Sequence, residues 1–240
     1  MKISLFLLGA VLALPLAANA QGGNKSYLGV QAGASLPLGD FGKADYGNDR
    51  AGFAKTGLHV ALDGAHYFGG GAVGLAGQLA FSDNGGLTKS DLQKIGDGFT
   101  DGFGVDESTI TGNGRYRRLT GLLGPAVMFG GDKLKVEVRL LAGVVKSLST
   151  PEVTVQLEDN TDTKLRQFSS TSTVFGYQAG LGLHYALGER LGLVLRGDYL
   201  KASDLTIANE NRFNQAGRFN EKQPVAALNF SLGLTFAFGE

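Results

Sequence analysis

Hydrophobic and polar residues alternate along most of this chain, and the alternation is longest near its C-terminal end. Between residues 226 and 238, every second residue is apolar and mostly bulky, whereas the residues between them are small or polar. A repeat of two residues is the pattern of a β-strand whose two faces meet different surroundings. A tilted transmembrane strand needs about 9–11 residues, so this segment is long enough to cross a bilayer.

Seven further segments show the same alternation, at residues 27–38, 57–68, 72–83, 116–129, 134–148, 173–187 and 191–202. Three connections are short and rich in glycine, at residues 69–71, 130–133 and 188–190. Four are long and polar, at residues 40–56, 84–115, 149–173 and 203–223. Tight turns at one rim and long loops at the other are typical of a transmembrane barrel. We therefore predict an all-β fold, an eight-stranded antiparallel up-and-down transmembrane β-barrel with short periplasmic turns and four long extracellular loops.

The apolar face of the strands is expected to meet lipid, and the polar face to fill the lumen. Side chains only just fill the lumen of an eight-stranded barrel, which suits the small and amide side chains of the polar face. A soluble barrel would instead turn its apolar face inward, around a ligand. In a transmembrane barrel that arrangement would expose Lys135 and Arg139 to the bilayer, at about 2–4 kcal/mol each near the midplane. Aromatic residues at strand ends should then mark the two interfaces. We place Phe68, Phe129, Tyr185, Phe236 and Phe238 at the periplasmic interface, and Phe81, Phe175, Tyr177 and Tyr199 at the extracellular one.

Two prolines bear on the strand boundaries. Pro125 lies inside the fourth segment, where the alternation is weakest, and a closed barrel has no free edge strand to accommodate it. We therefore expect a β-bulge there, with a local change of register. Pro224 is expected to open the eighth strand, where a missing N–H is tolerated.

Residues 1–20 have the features of a secretory signal peptide. Lys2 supplies the positive charge, residues 3–16 the apolar region, and residues 18–20 a small-residue cleavage site. We expect the barrel domain to occupy residues 21–240. After the signal, no apolar run reaches the roughly 18 residues of a transmembrane helix.

The amino-acid composition argues against several classes of function. The 22 basic and 22 acidic residues balance, which gives no indication of nucleic-acid binding. Without cysteine, the chain has neither a disulfide framework nor a thiolate metal site. The 38 glycines follow no collagen or linker pattern and are expected at bends and crowded lumen positions.

Charged residues on the inward face of the strands are Asp63, Lys135, Glu137, Arg139, Arg196 and Asp198. Three are acidic and three are basic, and the sixth strand offers Gly180 and Gly182 between its charged neighbours. Because buried charges need partners, we predict an ion-pair network that plugs the lumen. The alternatives are a selective pore and a proton or ligand site.

Catalytic and metal-binding patterns are weak. His59 is expected near the outer rim with Asp63 on the same face, but no serine is placed by sequence to complete a nucleophilic triad. Residues 97–103 contain two Asp-Gly steps, whose spacing does not fit an EF-hand loop and favours turns. Ser90 is predicted to cap a short helix. We predict no catalytic residue, no metal site and no cofactor.

The third and fourth long loops carry candidate interaction features. Residues 153–157 and 164–168 flank a polar segment and predict a hairpin that extends the fifth and sixth strands beyond the membrane. Such a hairpin either offers an edge to a partner strand or stands solvated without one. The fourth loop holds two Arg-Phe pairs, Arg212 with Phe213 and Arg218 with Phe219. Their chemistry suits a glycan or a lipopolysaccharide phosphate, and chance similarity within a hairpin is the alternative.

Two stretches resemble a known group of proteins. One is residues 27–41, Tyr-Leu-Gly-Val-Gln-Ala-Gly-Ala-Ser-Leu-Pro-Leu-Gly-Asp-Phe, and the other is the last strand, which ends on aromatic Phe238 before Gly239 and Glu240. Nearly all of residues 21–240 resembles the small outer-membrane barrels of the OmpA/OmpX-like superfamily, closest to the outer-membrane β-barrel domain common in Bacteroidetes. The resemblance implies the outer membrane of a Gram-negative bacterium, contact with its lipid and lipopolysaccharide, and insertion by the barrel assembly machinery.

These features predict a non-enzymatic outer-membrane β-barrel with a plugged polar lumen and a structural or surface-interaction role through its extracellular loops. The expected partner of the loops is an extracellular protein or glycan, and the barrel is expected to be a monomer that binds no nucleic acid. One alternative is a narrow channel for ions or small solutes. The other is a lipid-modifying outer-membrane enzyme, whose residues the sequence does not supply.

Overall fold

The structure is a computed structural model and describes residues 23–48, 50–103, 108–157, 164–211 and 217–238, so the predicted signal peptide lies outside the described residues. The described part forms eleven β-strands and one α-helix, α1, at Lys89–Phe103. The strands are β1 (Ser26–Pro37), β2 (Gly57–Tyr67), β3 (Val73–Asp83), β4 (Ser108–Asn113), β5 (Arg117–Gly130), β6 (Leu134–Ser149), β7 (Glu152–Leu157), β8 (Lys164–Gln167), β9 (Thr173–Ala186), β10 (Leu191–Asn211) and β11 (Gly217–Phe238). Within these residues, no helix combines the length and the apolar character needed to span a membrane.

Eight of the strands close into a ring, which confirms the predicted fold class. β1, β2, β3, β5, β6, β9, β10 and β11 pair antiparallel in that order, and β11 pairs with β1 to complete the ring. Each barrel strand therefore neighbours the next barrel strand along the chain, as in an up-and-down barrel. The short connections after β2, β5 and β9 lie at one rim, and the long connections lie at the other.

The alternation of apolar and polar residues determines which face of each strand lies on the outer surface and which faces the lumen. In β3 and β11, Leu79 and Leu232 are 63% and 59% exposed on the outer surface, whereas their neighbours Ala80 and Ser231 are 5% and 4% exposed. The apolar outer band and the polar interior are those of a barrel in lipid. The predicted interfacial aromatics that lie exposed on this outer surface are Phe68, Phe129, Phe175, Tyr177, Tyr185, Tyr199, Phe236 and Phe238. Phe81 is half-buried.

The prediction of a β-bulge at Pro125 is wrong. β5 keeps its register with β3 through the pair of Leu75 and Pro125, and its pairing with β6 is interrupted at residues 124 and 125 without a shift. Residues 124 and 125 make no pair with β6, so no hydrogen bond is lost where proline lacks an N–H. A bulge is therefore not required at this position. The register shift between β5 and β6 lies instead between Arg117 and Arg118.

The last two barrel strands extend further than predicted. β10 continues to Asn211 and β11 begins at Gly217, so most of the predicted fourth loop is a β-ladder. Pro224 therefore lies inside β11 rather than at its start. A bulge in β10 between Ala202 and Leu205 leaves Pro224 without a ladder partner, so its missing N–H costs no hydrogen bond to β10.

Outside the barrel, strands from the second and third long loops join this ladder. β8 pairs with β10, β7 with β8, and β4 with β7. The predicted hairpin of the third loop is confirmed as β7 and β8, but strands of this same chain cover both of its edges. We call β4, β7, β8, residues 205–211 of β10 and residues 217–223 of β11 the extracellular sheet.

Helix α1 belongs to the second long loop and is longer than the predicted short helix. Thr88 caps it rather than Ser90, because the Thr88 N–H donates to Asp91 Oδ2 (2.9 Å) and the Asp91 N–H donates to Thr88 Oγ1 (3.2 Å). The prediction of turns at residues 97–103 is wrong, since this capping box and the apolar residues at helical spacing outweigh the turn preference of the Asp-Gly steps.

Candidate functional site

Five of the six predicted lumen charges meet in one buried cluster. Arg139 donates to Asp198 Oδ2 (2.9 Å) and to Asp63 Oδ2 (3.0 Å). Arg196 donates to Glu137 Oε1 (2.8 Å) and lies 3.2 Å from Asp63 Oδ2, so Asp63 bridges the two arginines. All five side chains are at most 1% exposed. We call these five residues the lumen cluster.

Glycine residues in β9 leave room for the lumen cluster. β9 lies between β6 and β10, and Gly180 stands in register between Arg139 and Asp198. A Cβ on Gly180 would collide with the Asp198 carboxylate, and a Cβ on Gly182 would press on the Arg196 guanidinium. Long side chains of the flanking strands therefore meet across β9 because β9 itself carries none at these positions.

Three residues that join the lumen cluster were missed from the sequence. Tyr27 and Tyr67 both donate their hydroxyls to Glu137 Oε2, at 2.6 and 2.9 Å. His184 Nε2 lies 3.4 Å from the same oxygen. The alternation places all three residues on the inward face. Their position near an inward-facing acid could therefore have identified them as hydrogen-bond partners of the cluster.

The structure separates Lys135 from the lumen cluster, in contrast to the prediction. Its Nζ donates to Asn24 Oδ1 (2.8 Å) and to the Gly23 carbonyl (3.4 Å). Lys135 stands beside the periplasmic turn, so its long side chain reaches the N-terminal segment at the mouth of the barrel before it reaches the acids deeper inside. The mouth encloses a cavity of about 380 Å³.

Neutral polar pairs fill the lumen between the lumen cluster and the extracellular end. Gln178 Nε2 donates to Gln78 Oε1 (2.9 Å), and Ser231 Oγ donates to Gln31 Oε1 (2.6 Å). Within the described part of the chain, the lumen atoms without a protein partner are Gln31 Nε2, His59 Nε2, Asp63 Oδ1, Gln78 Nε2, Arg118 Nε, Arg196 Nε and Asn229 Oδ1. Buried water commonly satisfies such groups in protein interiors.

Arg118 closes the extracellular end of the lumen and was also missed from the sequence. It is 5% exposed, donates to Asn84 Oδ1 and to Ser35 Oγ (2.9 Å), and lies 5.8 Å from the ring centre of Phe41. Leu119, the next residue, faces outward, so the alternation did place Arg118 inward. The weak pattern around Pro125 concealed this assignment.

A histidine and a serine meet in the lumen, against the expectation from sequence. His59 Nδ1 lies 3.0 Å from Ser82 Oγ, and both residues are 1% exposed. Asp63, on the same face, is engaged by the two arginines of the lumen cluster. A nucleophile must be within reach of its substrate, and this pair is enclosed. The described residues hold no group of three or more His, Cys, Asp or Glu side chains that could bind a metal ion.

The extracellular end carries a cleft of about 440 Å³, lined by the extracellular sheet, by α1 and by the first long loop. Its floor is apolar, since Val153, Val155 and Leu165 of the sheet are only 2–9% exposed and Leu87 and Phe99 pack against them. These residues come from distant parts of the chain, and no local pattern in the sequence predicts that they share a cavity. We call this cavity the extracellular cleft.

Amide side chains in the wall of the extracellular cleft differ in how they are satisfied. Gln167 and Gln223 donate to the carbonyls of Pro151 (3.1 Å) and Arg50 (2.9 Å). Asn209 is 7% exposed, and its Nδ2 has no hydrogen-bond partner among the residues that the structure describes. Asn209 belongs to the wall of the cleft, but its Nδ2 atom is shielded from solvent.

An ion pair holds α1 against the barrel and so shapes one side of the extracellular cleft. Lys55, just before β2, donates to Asp91 Oδ1 (2.9 Å). Burial raises the pKa of the Asp91 carboxyl, but the hydrogen bonds from Lys55 and Thr88 lower it more, so the pKa of Asp91 lies below its ordinary value of 3.8. Asp91 is therefore ionised at neutral pH and paired with Lys55.

The predicted Arg-Phe pairs do not form one site in the described residues. Arg212 and Phe213 lie outside the part of the chain that the structure describes. Arg218 and Phe219 are neighbours in β11, so their side chains point to opposite faces of the extracellular sheet. Phe219, 42% exposed, lines the extracellular cleft, whereas Arg218 stands in register with Glu210.

Solved structures show a similar fold at low sequence identity. Neisserial surface protein A is 10% identical, with 91% of this chain and 100% of that chain covered and a TM-score of 0.48. A major outer membrane protein from Thermus thermophilus is 16% identical, with coverages of 89% and 99% and a TM-score of 0.49. The outer membrane protease OmpT from Escherichia coli is 9% identical, with coverages of 92% and 98% and a TM-score of 0.40.

The sequence comparisons identify a family rather than a single relative. No curated protein matches the chain in sequence. Residues 4–238 match the family described as outer membrane protein beta-barrel domain. The match confirms the resemblance to outer-membrane barrels and the predicted outer-membrane location, while the narrower resemblance to the Bacteroidetes domain stays a prediction. With its closed ring of strands and its apolar outer band, the chain belongs to the outer membrane protein beta-barrel domain family.

Proposed function

We propose that the protein is a non-enzymatic outer-membrane barrel with a closed lumen, which acts at the cell surface through its extracellular sheet and loops. The observation that carries this proposal is the lumen cluster, whose two guanidinium groups are 0% exposed and paired with three carboxylates. Charges removed from water to this degree require direct partners, and here Asp63, Glu137 and Asp198 supply them.

The packed lumen favours a plug over the narrow channel. An aqueous pore would leave the guanidinium and carboxylate groups hydrated and separated along a path. Instead, the pair of Gln78 and Gln178 and the contacts of Arg118 add further closed layers toward the extracellular end. The cavity at the periplasmic mouth ends against Tyr27 and His184, which belong to the same buried network.

A lipid-modifying enzyme is less well supported. The pair of His59 and Ser82 is enclosed in the lumen at 1% exposure. A second pair, Ser26 Oγ and His66 Nδ1 at 2.9 Å, lies at the periplasmic end of β1 and β2. An outer-membrane lipid has no route to the Ser82 hydroxyl, because the barrel wall separates them. The third role, surface interaction, depends only on the extracellular sheet and loops, which lie outside the membrane.

The partners of this role follow from the two surfaces of the molecule. The outer band of leucine and aromatic side chains contacts outer-membrane lipid and lipopolysaccharide, and the barrel assembly machinery inserts the chain as a monomer. The extracellular sheet and loops, held clear of the membrane by the long ladder of β10 and β11, contact an extracellular protein or glycan.

Single-channel recording on refolded protein in planar bilayers tests the closed lumen. Wild-type protein should give no steady current, and neither should Arg117→Ala, a control in which an arginine that is 50% exposed loses its contact with Asp83. Arg139→Ala, which removes one of the two guanidinium groups of the lumen cluster, should be the variant that leaks. Steady open-channel currents from the wild-type barrel would overturn the plug and favour the channel.

A further inference from the structure

We infer that the free edge of β4 binds an extended strand of an extracellular protein, which adds to the extracellular sheet by backbone hydrogen bonds. The inference rests on the proposed surface role and names the class of partner for it, a polypeptide strand rather than a glycan. It depends on three features of β4, which are its position in the sheet, its sequence, and the groove between it and α1.

β4 is the terminal strand of the extracellular sheet. Residues Ser108–Asn113 pair with β7 on one side, and no strand in the described part of the chain pairs with the other side. An edge strand of this kind presents a row of unpaired backbone N–H and C=O groups. Thr109, Thr111, Gly112 and Asn113 are exposed, so solvent, or a partner in its place, reaches this strand.

The sequence of β4 does not protect its edge. Natural edge strands commonly carry charged side chains, proline or a β-bulge, which discourage pairing with another chain. β4 reads Ser-Thr-Ile-Thr-Gly-Asn, without charge or proline, and its register with β7 runs without a shift. The charged pair of Glu152 and Arg166 (3.9 Å) lies on the interior strands β7 and β8 instead. β4 is therefore suited to accept a further strand.

The edge is held in place before a partner arrives. β4 is connected through β7 and β8 to β10, a strand of the barrel wall. α1 lies against β4, where Ser108 Oγ donates to the Gly96 carbonyl (3.4 Å), and the pair of Lys55 and Asp91 ties α1 to the barrel. An added strand meets a preformed edge and does not have to order it, which lowers the cost of binding.

The groove between α1 and β4 sets the side-chain pattern of the partner. Its volume is about 480 Å³, its apolar lining includes Leu92 and Ile110, and its two charged lining residues have opposite signs. Side chains of an added strand alternate between two faces. Those on the α1 face lie beside Leu92 and Ile110 and should be apolar. Those on the other face lie beside Thr109 and Thr111 and should be β-branched or carry a hydroxyl.

Amide hydrogen exchange, read by NMR on the full barrel in nanodiscs, tests whether the edge is open. In the free protein, protection should alternate along β4, because every second N–H is bonded to β7 and those between them are not. Uniform protection in nanodiscs that hold one copy would mean that this chain already covers the edge. Protection that appears only in nanodiscs with two copies would make a second copy the occupant. Either result would overturn the inference.

Two synthetic peptides of alternating valine and threonine, long enough to span the six residues of β4, supply the added strand. The first carries N-methyl groups along one edge, so it can pair through its other edge but cannot assemble into a sheet by itself. The second is N-methylated along both edges and cannot pair. The first peptide should slow the fast-exchanging amides of β4 saturably and leave the barrel amides unchanged. The second should have no effect.

A charge at the edge separates strand pairing from other modes of binding. Thr111→Glu places a carboxylate on β4 and should weaken binding of the first peptide about fivefold. The matched control Thr154→Glu adds the same charge on β7, at the position in register with Thr111, and should leave the affinity unchanged because β7 is not at the edge. Both variants should keep the alternating exchange of β4, which shows that the sheet is folded.

Three results with the peptides would also overturn the inference. They are a failure of the first peptide to protect β4, equal protection by the peptide that is methylated along both edges, and equal affinities of Thr111→Glu and Thr154→Glu for the first peptide. Any of them would leave the closed lumen standing, since conductance alone tests that proposal.

Discussion

The lumen and the extracellular cleft are both bordered by β10 and β11, but they satisfy their polar groups in different ways. In the lumen, guanidinium and carboxylate groups pair at 2.8–3.2 Å, and this packing is the basis of the proposed closed lumen. In the cleft, apolar side chains line about 440 Å³ of open space, and the Asn209 amide nitrogen has no partner in the described ranges. The difference teaches that the polar groups of the transmembrane part are paired with one another, whereas the open space of the molecule lies at its extracellular end.

Removing one arginine of the lumen cluster should have the largest effect. Arg139→Ala leaves Asp63 and Asp198 buried with less compensation, and breaking a buried pair costs about 3–5 kcal/mol. We expect that loss in the free energy of unfolding, measured by urea titration in lipid vesicles with far-UV circular dichroism. Arg117→Ala, in which a half-exposed pair is lost, should cost at most about 1 kcal/mol.

A small effect of Arg139→Ala would contradict the difference between a packed lumen and an open extracellular cleft. If the variant lost less than the Arg117→Ala control, water would have to solvate Asp63 and Asp198 in place of the arginine. The lumen would then be wet, and it would resemble the cleft more than a packed core.

Adding a methyl group at a glycine of the barrel wall and at a glycine of the extracellular sheet should lower stability by an intermediate amount, and by different amounts in the two regions. A Cβ on Gly33 in β1 would overlap the backbone carbonyl of Phe230, whereas a Cβ on Gly112 in β4 would meet the movable end of the Leu92 side chain. Gly33→Ala should cost about 1–3 kcal/mol, as overpacking does, because neither barrel strand can shift freely. Gly112→Ala should cost less, because the Leu92 side chain can turn away. Equal losses in the urea titration would mean that the extracellular sheet is as tightly constrained as the barrel wall.

The transmembrane part of this fold is predictable because lipid and lumen impose opposite chemistry on alternate residues. The alternation was enough to place Arg139, Arg196 and Asp198 inward and to identify Gly180 as the gap between their strands. Pro125 and Pro224 were misjudged because their cost depends on whether a neighbouring strand needs the missing N–H. That depends on pairing and not on local sequence.

The extracellular part is poorly predictable because its partners lie far apart in the chain. The Asp-Gly steps of residues 97–103 indicate turns locally, and only the cap between Thr88 and Asp91 with packing on β4 makes them helical. The extracellular cleft combines residues from the first, second and third long loops, α1 and four strands. No periodic pattern joins them, so neither the cavity nor the partnerless Asn209 amide could be predicted.

The smallest expected effect is a pH dependence confined to α1. The folded-state pKa of Asp91 lies below its ordinary value of 3.8, so its contribution to stability is fully present above that value and is lost as the pH falls through the lower folded-state pKa. The Asp91 side chain is buried and the Lys55 side chain is 36% exposed, so solvent screens the pair and its contribution is on the order of 1 kcal/mol. Hydrogen exchange, corrected for its intrinsic pH dependence, should therefore accelerate in α1 below about pH 4.

The barrel amides and an Asp91→Asn variant serve as references for this experiment. The exchange of the barrel amides should not change over the same pH range, and Asp91→Asn should remove the acid-dependent step in α1. Acceleration that occurs equally in the barrel, or that persists in Asp91→Asn, would assign the effect to other carboxyl groups.

The most direct test of a closed lumen below an open cleft is the reactivity of single cysteines introduced into this cysteine-free chain. Gln78→Cys places a thiol between the layers of the lumen, and Leu165→Cys places one at the floor of the extracellular cleft. A small cationic methanethiosulfonate reagent is added to whole cells, and modification is read by mass spectrometry. We predict that the thiol from Leu165→Cys is modified while that from Gln78→Cys reacts only after unfolding. Modification of both thiols at similar rates in the folded barrel would contradict the account.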